Sequence, residues 1–190
     1  MTRIETLMPE GMTAEQLEVY EAIRSGPRRR LHGERIGLTG PFNAWIRAPG
    51  FGDLAQRLGA HLRFETSLPT RLAELAIITV GRHMRASFEF AAHAPLAIQG
   101  GLSADAVEAI RIGESPQFEA EDEAAVHAFS RELLDEHRVS DTTYDRLKAC
   151  VDEQGVVEVI GLLGYYTMVS MTLNVFEVLL REGMEDPFAD

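Results

Sequence analysis

An uncharged stretch of eighteen residues, Val159 to Phe176, constrains the fold of this chain more than any other sequence feature. Its length would just suffice for a helix that spans a membrane. The stretch is, however, bracketed by Glu158 and Glu177, carries four polar side chains and has no basic flank to orient it. We therefore expect a helix buried in a bundle or at a subunit interface, in a cytoplasmic protein without a membrane partner.

Signals for helices recur along the whole chain, whereas signals for strands are scarce. Thr13 and Gln16 form a capping box for a helix that ends at about Arg24. A long loop over 25–49 follows, rich in glycine and proline, and loops of this length inside compact domains are usually functional or pack on a neighbour. Further helices are predicted at about 52–64, 70–83, 86–100, 103–112, 119–136, 140–153 and 155–181.

This pattern predicts an all-α fold, a compact helical bundle in a single domain over residues 1–190. Residues 1–49 form an N-terminal extension made of one helix and the loop. In the helix at 52–64, three leucines at i, i+4 spacing are expected to face a core. They are Leu54, Leu58 and Leu62.

Charge and cysteine content exclude several classes of function. The net charge of −12 argues against a nucleic-acid partner, because phosphate binding requires a basic surface, and the single basic run, Arg28–Arg30, is interpreted as a solvated loop. Cys150 is the only cysteine, so the chain cannot form an internal disulfide, and its helical surroundings indicate a small apolar residue rather than a nucleophile. The N-terminus lacks the apolar stretch of a signal peptide.

Three ionisable residues lie in surroundings that are otherwise apolar: Glu74, Glu89 and His93. Glu89 and His93 are four residues apart in one predicted helix and therefore share a face. If this helix and the preceding one form an antiparallel hairpin, Glu74 faces the pair. Two carboxylates beside one imidazole can donate and accept a proton near neutral pH, as general acid–base catalysis requires. A purely structural ion pair is the alternative.

A metal site is a competing interpretation of the same three residues, since two carboxylates and one imidazole offer three ligands. The sequence contains no paired-histidine or cysteine–histidine spacing typical of such sites, so we expect neither a metal nor a cofactor. A glycine-rich phosphate loop and a nucleophile elbow are also absent from the sequence.

Two segments, 66–77 and 88–97, resemble the core of carboxymuconolactone decarboxylase-like proteins, the superfamily that includes alkylhydroperoxidase D. The upstream segment 40–45 resembles a loop of its longer members. The resemblance implies a compact all-α subunit with a central helical hairpin, which assembles into trimers or hexamers. It also implies that Glu74, Glu89 and His93 form the site, in a pocket between the hairpin and neighbouring elements.

The alkylhydroperoxidase branch of this superfamily uses two cysteines, and this chain departs from that pattern. When the motif is laid on the sequence, Ala86 and Glu89 occupy the cysteine positions, while Glu74 and His93 match the glutamate and histidine. Peroxide reduction requires a thiolate nucleophile and a resolving thiol. The resemblance therefore implies peroxidase chemistry for the superfamily but not for this chain.

The decarboxylase branch lacks these cysteines, and its archetype decarboxylates a γ-carboxylated muconolactone in protocatechuate breakdown. Resemblance to it implies a cofactor-independent decarboxylase acting on a small carboxylated lactone or β-keto acid through glutamate and histidine. A lactone hydrolase or isomerase and a non-catalytic oligomeric scaffold are the alternatives. Five further residues are candidates for substrate binding, two as an apolar wall and three as carboxylate partners. They are Phe42, Trp45, Arg47, Arg63 and Arg71.

Overall fold

The computed structural model describes residues 2–27 and 39–189 of the chain, and these residues contain eight α-helices and no strand. The predicted all-α fold class is therefore confirmed. The helices are α1 (Ala14–Ser25), α2 (Phe42–Trp45), α3 (Pro49–Phe64), α4 (Thr70–His83), α5 (Ser87–Gln99), α6 (Ala104–Ile112), α7 (Glu121–Glu136) and α8 (Asp141–Val175).

The chain divides into two compact units, which we call unit 1 and unit 2. Unit 1 comprises Met1–Glu65 and Thr172–Leu179, and unit 2 comprises Thr66–Met171 and Leu180–Asp190. The expected boundary at residue 49 is thus not a boundary of these units. That the whole chain forms one domain stays a prediction.

Two expectations for the N-terminal third of the chain are wrong, one on the loop over 25–49 and one on the start of the helix that follows it. The predicted loop over 25–49 contains the short helix α2, and α3 begins at Pro49, which supplies a favourable first-turn proline. The run Arg28–Arg30 lies outside the described residues.

The leucine stripe of α3 does not face the core of unit 1 as expected. Leu54 and Leu58 are 65% and 49% exposed, and of the three leucines only Leu62 is buried. The buried face is built from small residues instead, because a Cβ on Gly52 would lie 2.5 Å from the carbonyl oxygen of Trp45. The close approach of Trp45 thus requires glycine at position 52 on the inner face of α3, and Leu54 and Leu58 lie on the exposed face.

Unit 2 is organised around the hairpin of α4 and α5, as predicted. Residues 72–81 of α4 are all buried, because α4 packs on α5 and α7 and also contacts α6. The cap predicted at Thr13 in unit 1 is present, and its side chain accepts a hydrogen bond from the N–H of Gln16. In unit 2, the Ser103 side chain caps α6 in the same way and accepts from the N–H of Ala106.

Two helices predicted at 140–153 and 155–181 form one element with a break. Asp152 has non-helical backbone angles (φ 59°, ψ −174°), and its carboxylate accepts a hydrogen bond from the N–H of Gly155, which restarts the helix. The helix ends at Val175 rather than at residue 181, because Glu177 adopts a left-handed conformation (φ 50°) and Val178 N–H bonds back to Leu173.

Helix α8 is the one helix of the described residues that is long and apolar enough to cross a membrane by length and composition alone. Half of its most apolar 18-residue window is buried within the chain. A buried core helix of a soluble protein meets the same two criteria, so these criteria alone are weak evidence for a membrane span.

Candidate active site

His93 lies between two carboxylates in the interior of unit 2. Its Nδ1 is 2.5 Å from Glu74 Oε2, and its Nε2 is 3.0 Å from Glu89 Oε1. The three residues are 3% to 7% exposed. The predicted convergence of Glu74, Glu89 and His93 is therefore present, with Glu74 on α4 and the other two residues one turn apart on α5.

The hairpin brings these side chains together because its two helices can approach closely. A Cβ on Gly81 would lie 3.3 Å from the backbone nitrogen of Phe90, and a Cβ on Gly100 would lie 3.2 Å from that of Arg71. Both ends of the hairpin thus pack backbone against backbone. Arg85 makes the turn in a left-handed conformation (φ 47°), and Ala86 N–H bonds to the Gly81 carbonyl.

The geometry around the imidazole defines which protonation states it favours. Both ring nitrogens face a carboxylate oxygen, and both can donate only when the ring is an imidazolium. Nδ1 makes the hydrogen bond to Glu74, whereas Glu89 Oε1 lies at ion-pair distance but accepts no hydrogen bond. One carboxylate therefore orients the ring, and the other is held beside it with an oxygen available to a proton.

A tyrosine that the sequence reasoning missed completes the surroundings of the imidazole. The ring of Tyr166 packs edge-on against His93 at 5.3 Å between centroids, and Tyr165 packs on Tyr166 at 5.2 Å. Both tyrosines lie on α8 and are buried. The only available signal was their position in the uncharged segment, which does not predict the helix that they face.

Arg71, a candidate partner for a substrate carboxylate, is already paired within unit 2. Its guanidinium binds both oxygens of Asp122, at 3.0 and 2.6 Å, and lies 3.7 Å from Glu123. This fork-to-fork geometry is the strong form of the arginine–carboxylate pair, and it raises the pKa of Arg71 and lowers that of Asp122. The structure thus gives Arg71 a partner that sequence spacing did not reveal.

The other four candidates for substrate binding belong to unit 1. Trp45 Nε1 donates to Thr172 Oγ1 at 3.1 Å, and the Trp45 ring packs edge-on against Phe42. Arg47 donates to the carbonyl of Glu5, and the guanidinium of Arg63 lies over the ring of Phe64. A role of these residues in binding a substrate stays a prediction.

The structure offers little for metal or thiol chemistry in the residues that it describes. Within 2–27 and 39–189 there is no group of three histidine, cysteine or acidic side chains arranged to hold a metal ion. Cys150 is half-buried on α8, and burial raises the pKa of its thiol, with the charges of Glu121 and Asp122 adding to the effect. A raised pKa keeps the sulfur in its unreactive thiol form.

Comparison with known proteins supports the fold but no family assignment. No protein-family model and no curated protein matches the sequence. Among solved structures, the chain is similar to the debrominase Bmp8 without ligand (13% identity, TM-score 0.71, 90% of each chain covered). It is also similar to a cysteine-to-alanine variant of Bmp8 in complex with 2,3,4-tribromopyrrole (14% identity, TM-score 0.73, 96% of this chain and 93% of that chain covered). The expected alkylhydroperoxidase-like fold is thereby confirmed.

Proposed function

We propose that this protein is a cofactor-independent enzyme that decarboxylates a small carboxylated lactone or β-keto acid by acid–base chemistry. The observation that carries the proposal is the buried imidazole of His93, with one carboxylate oxygen beside each ring nitrogen. Such a cluster can hold a proton and release it to a substrate without help from solvent. The resemblance to the decarboxylase branch and the similarity in fold to a solved enzyme support the same conclusion.

The reaction makes only two demands on the protein. The substrate carboxylate leaves as carbon dioxide, and its bonding electron pair passes into a conjugated carbonyl or alkene of the substrate. A proton must then reach the carbon that lost the carboxylate. We assign this proton to His93 or to Glu89 beside it, and we assign to Glu74 the task of orienting the ring.

Two alternatives use the same residues. A lactone hydrolase or isomerase would need the same proton donor and acceptor, and a non-catalytic scaffold would keep the cluster as an internal ion pair. The debrominase binds a brominated pyrrole, which makes a small ring compound a reasonable size of ligand for this fold. Peroxide reduction by a pair of thiols is not part of the proposal, because Cys150 is the only cysteine of the chain.

The test is a panel of carboxylated lactones and β-keto acids assayed for release of carbon dioxide. We expect turnover of at least one compound by the natural protein and loss of that turnover in His93→Gln. Ring opening or isomerisation without carbon dioxide would favour the hydrolase or isomerase. No reaction with any lactone or keto acid would favour the scaffold.

We also propose that the chain forms a homo-oligomer, a trimer or hexamer, without a membrane or nucleic-acid partner. Each unit exposes an apolar helical face, with Leu54 and Leu58 on α3 in unit 1 and Val157 and Ile160 on α8 in unit 2. Burial against further copies would remove these faces from water. Sedimentation at micromolar concentration should give three or six times the chain mass of 21.1 kDa, and a monomer or a dimer would refute this assembly.

A further inference from the structure

A second polar cavity lies within unit 2, at the opposite end of α4 from Glu74. It has a volume of about 470 Å³ and is bordered by the C-terminal end of α4, the end of α6 with the loop that follows, and α7. Arg82, on its wall, is eight residues along α4 from Glu74, about 12 Å at the helical rise. The volume is within the range of pockets that bind small molecules.

Most charges that border the cavity are paired with each other. Asp135 accepts from Arg131 at 2.7 Å and lies 3.2 Å from His83 Nδ1. Glu114 is at the exposed rim. The carboxylate of Asp135 is thus already paired with one arginine and one histidine. It forms no ion pair with Arg82.

Of the two arginines that border the cavity, Arg82 is the one whose guanidinium has no carboxylate partner in the part of the chain that the structure describes. Among the described residues it forms no ion pair, and its Nε is buried without a hydrogen-bond acceptor. The guanidinium lies 5.6 Å from the ring of Phe188 and against Gly113, where a Cβ would be 2.6 Å from Nη2. Gly113 has φ of 84°, a left-handed conformation that favours glycine there. The fold therefore holds a cation at the cavity without a carboxylate from residues 2–27 or 39–189 to neutralise it.

His127 supplies a neutral polar group to the same cavity. Burial, with a smaller contribution from the positive charge of Arg131, lowers its pKa to about 4. At neutral pH its ring is therefore uncharged, and it can donate or accept a hydrogen bond without repelling either sign of ligand. The hydroxyl of Ser115 borders the cavity as well.

We propose that this cavity binds a small organic or inorganic anion through a carboxylate or phosphate group held by the guanidinium of Arg82. The planar fork of arginine matches both groups with two parallel hydrogen bonds. A polynucleotide is a poor fit, because the net charge of the chain is −12 and only one guanidinium at this cavity is uncommitted. The proposal concerns a second site, and it does not depend on the chemistry at His93.

The experiment is a titration followed by ¹H–¹⁵N NMR at neutral pH and constant ionic strength, with the full chain. Sodium benzoate and sodium phosphate are the two probes, and benzyl alcohol and sodium chloride are the matched controls. The variants are Arg82→Gln, which removes the charge, and Arg82→Lys, which keeps the charge but loses the fork. Arg138→Gln, at an exposed position beyond α7, removes the same charge elsewhere.

We expect saturable shifts of the Gly113 and His127 amides with benzoate, phosphate or both, and none with the controls. The probe that saturates identifies a carboxylate or a phosphate site. Arg82→Gln should weaken binding by about tenfold or more, and Arg82→Lys should weaken it while keeping the fold. Arg138→Gln should bind as the natural protein does. The proposal is overturned if neither probe saturates, or if binding survives Arg82→Gln or Arg82→Lys undiminished.

Discussion

The two ends of helix α4 place ionisable side chains in opposite environments, one buried and paired and the other at a cavity and unpaired within the described part of the chain. Near its N-terminal end, Glu74 is buried against His93, which also faces Glu89, so that acid and base compensate each other inside the protein. Near its C-terminal end, Arg82 borders an open cavity and has no carboxylate partner among the described residues. The same helix therefore supports one closed cluster that can exchange a proton internally and one open site that lacks its counter-charge.

This contrast shows how packing separates the two roles. The close approach of Gly81 to Phe90 holds α4 against α5, and the three side chains of the cluster are buried. Beyond that contact α4 faces α6 and α7, which leave space between them. A buried cluster has to balance its own charges, whereas a site at the rim can use a ligand for that purpose.

The largest expected effect is on turnover when the imidazole at the closed end is removed. His93→Gln should lower kcat by about 100-fold or more, the scale of general acid–base catalysis, because the proton relay between the carboxylates is lost. The matched control is His61→Gln, since His61 pairs with Glu65 at the same i, i+4 spacing but on the surface. Steady-state kinetics beside a melting curve separates chemistry from folding. A lower melting temperature with unchanged kcat would make the cluster structural.

A smaller effect is expected on stability when one carboxylate of the cluster is neutralised. Glu74→Gln should lower the free energy of unfolding by about 3 kcal/mol, because it leaves a buried histidine without the partner that orients it. Glu65→Gln breaks the exposed pair with His61 and should change little, since water screens it. Urea unfolding measures both variants, and equal losses would mean that burial gives the cluster no special weight.

At the open end, the expected effect concerns pH. The pKa of His127 falls from 6.5 in the unfolded chain to about 4 in the folded one, so between these values the unfolded state binds the proton first. Stability should therefore be lost as the pH falls through that window, by at most about 3 kcal/mol from this residue. His127→Gln should lose less stability on acidification than the natural protein. Parallel losses in urea unfolding would contradict the assigned burial of the ring.

The sequence predicted the cluster near the N-terminal end of α4, but it did not predict the cavity near the C-terminal end. Helices predicted at 70–83 and 86–100 are found at Thr70–His83 and Ser87–Gln99, and the i, i+4 spacing of Glu89 and His93 places both on one face. These are local relations, which periodicity and caps encode. Glu74 was predicted from its apolar surroundings and from an antiparallel hairpin, which the resemblance to a known superfamily also implies.

What the sequence did not reveal depends on contacts between distant segments. The cavity requires α4, α6 and α7 to meet, and the partner of Arg71 is Asp122, fifty-one residues away. On α3, periodicity marked the leucine stripe correctly as apolar but assigned it to the wrong side, because the close contact of Gly52 with Trp45 decides which face is inside. Periodicity shows which residues share one face of a helix, but it does not show which other segment packs on that face.

The central claim, that His93 holds a proton between Glu74 and Glu89, is tested most directly by the ¹⁵N signals of its ring. Long-range ¹H–¹⁵N spectra of the natural protein, with His93 assigned by the signals that disappear in His93→Gln, report whether each ring nitrogen carries a proton. One carboxylate oxygen beside each ring nitrogen predicts that both nitrogens are protonated at neutral pH, with Nδ1 bonded to Glu74. A neutral ring with one bare nitrogen would contradict the account.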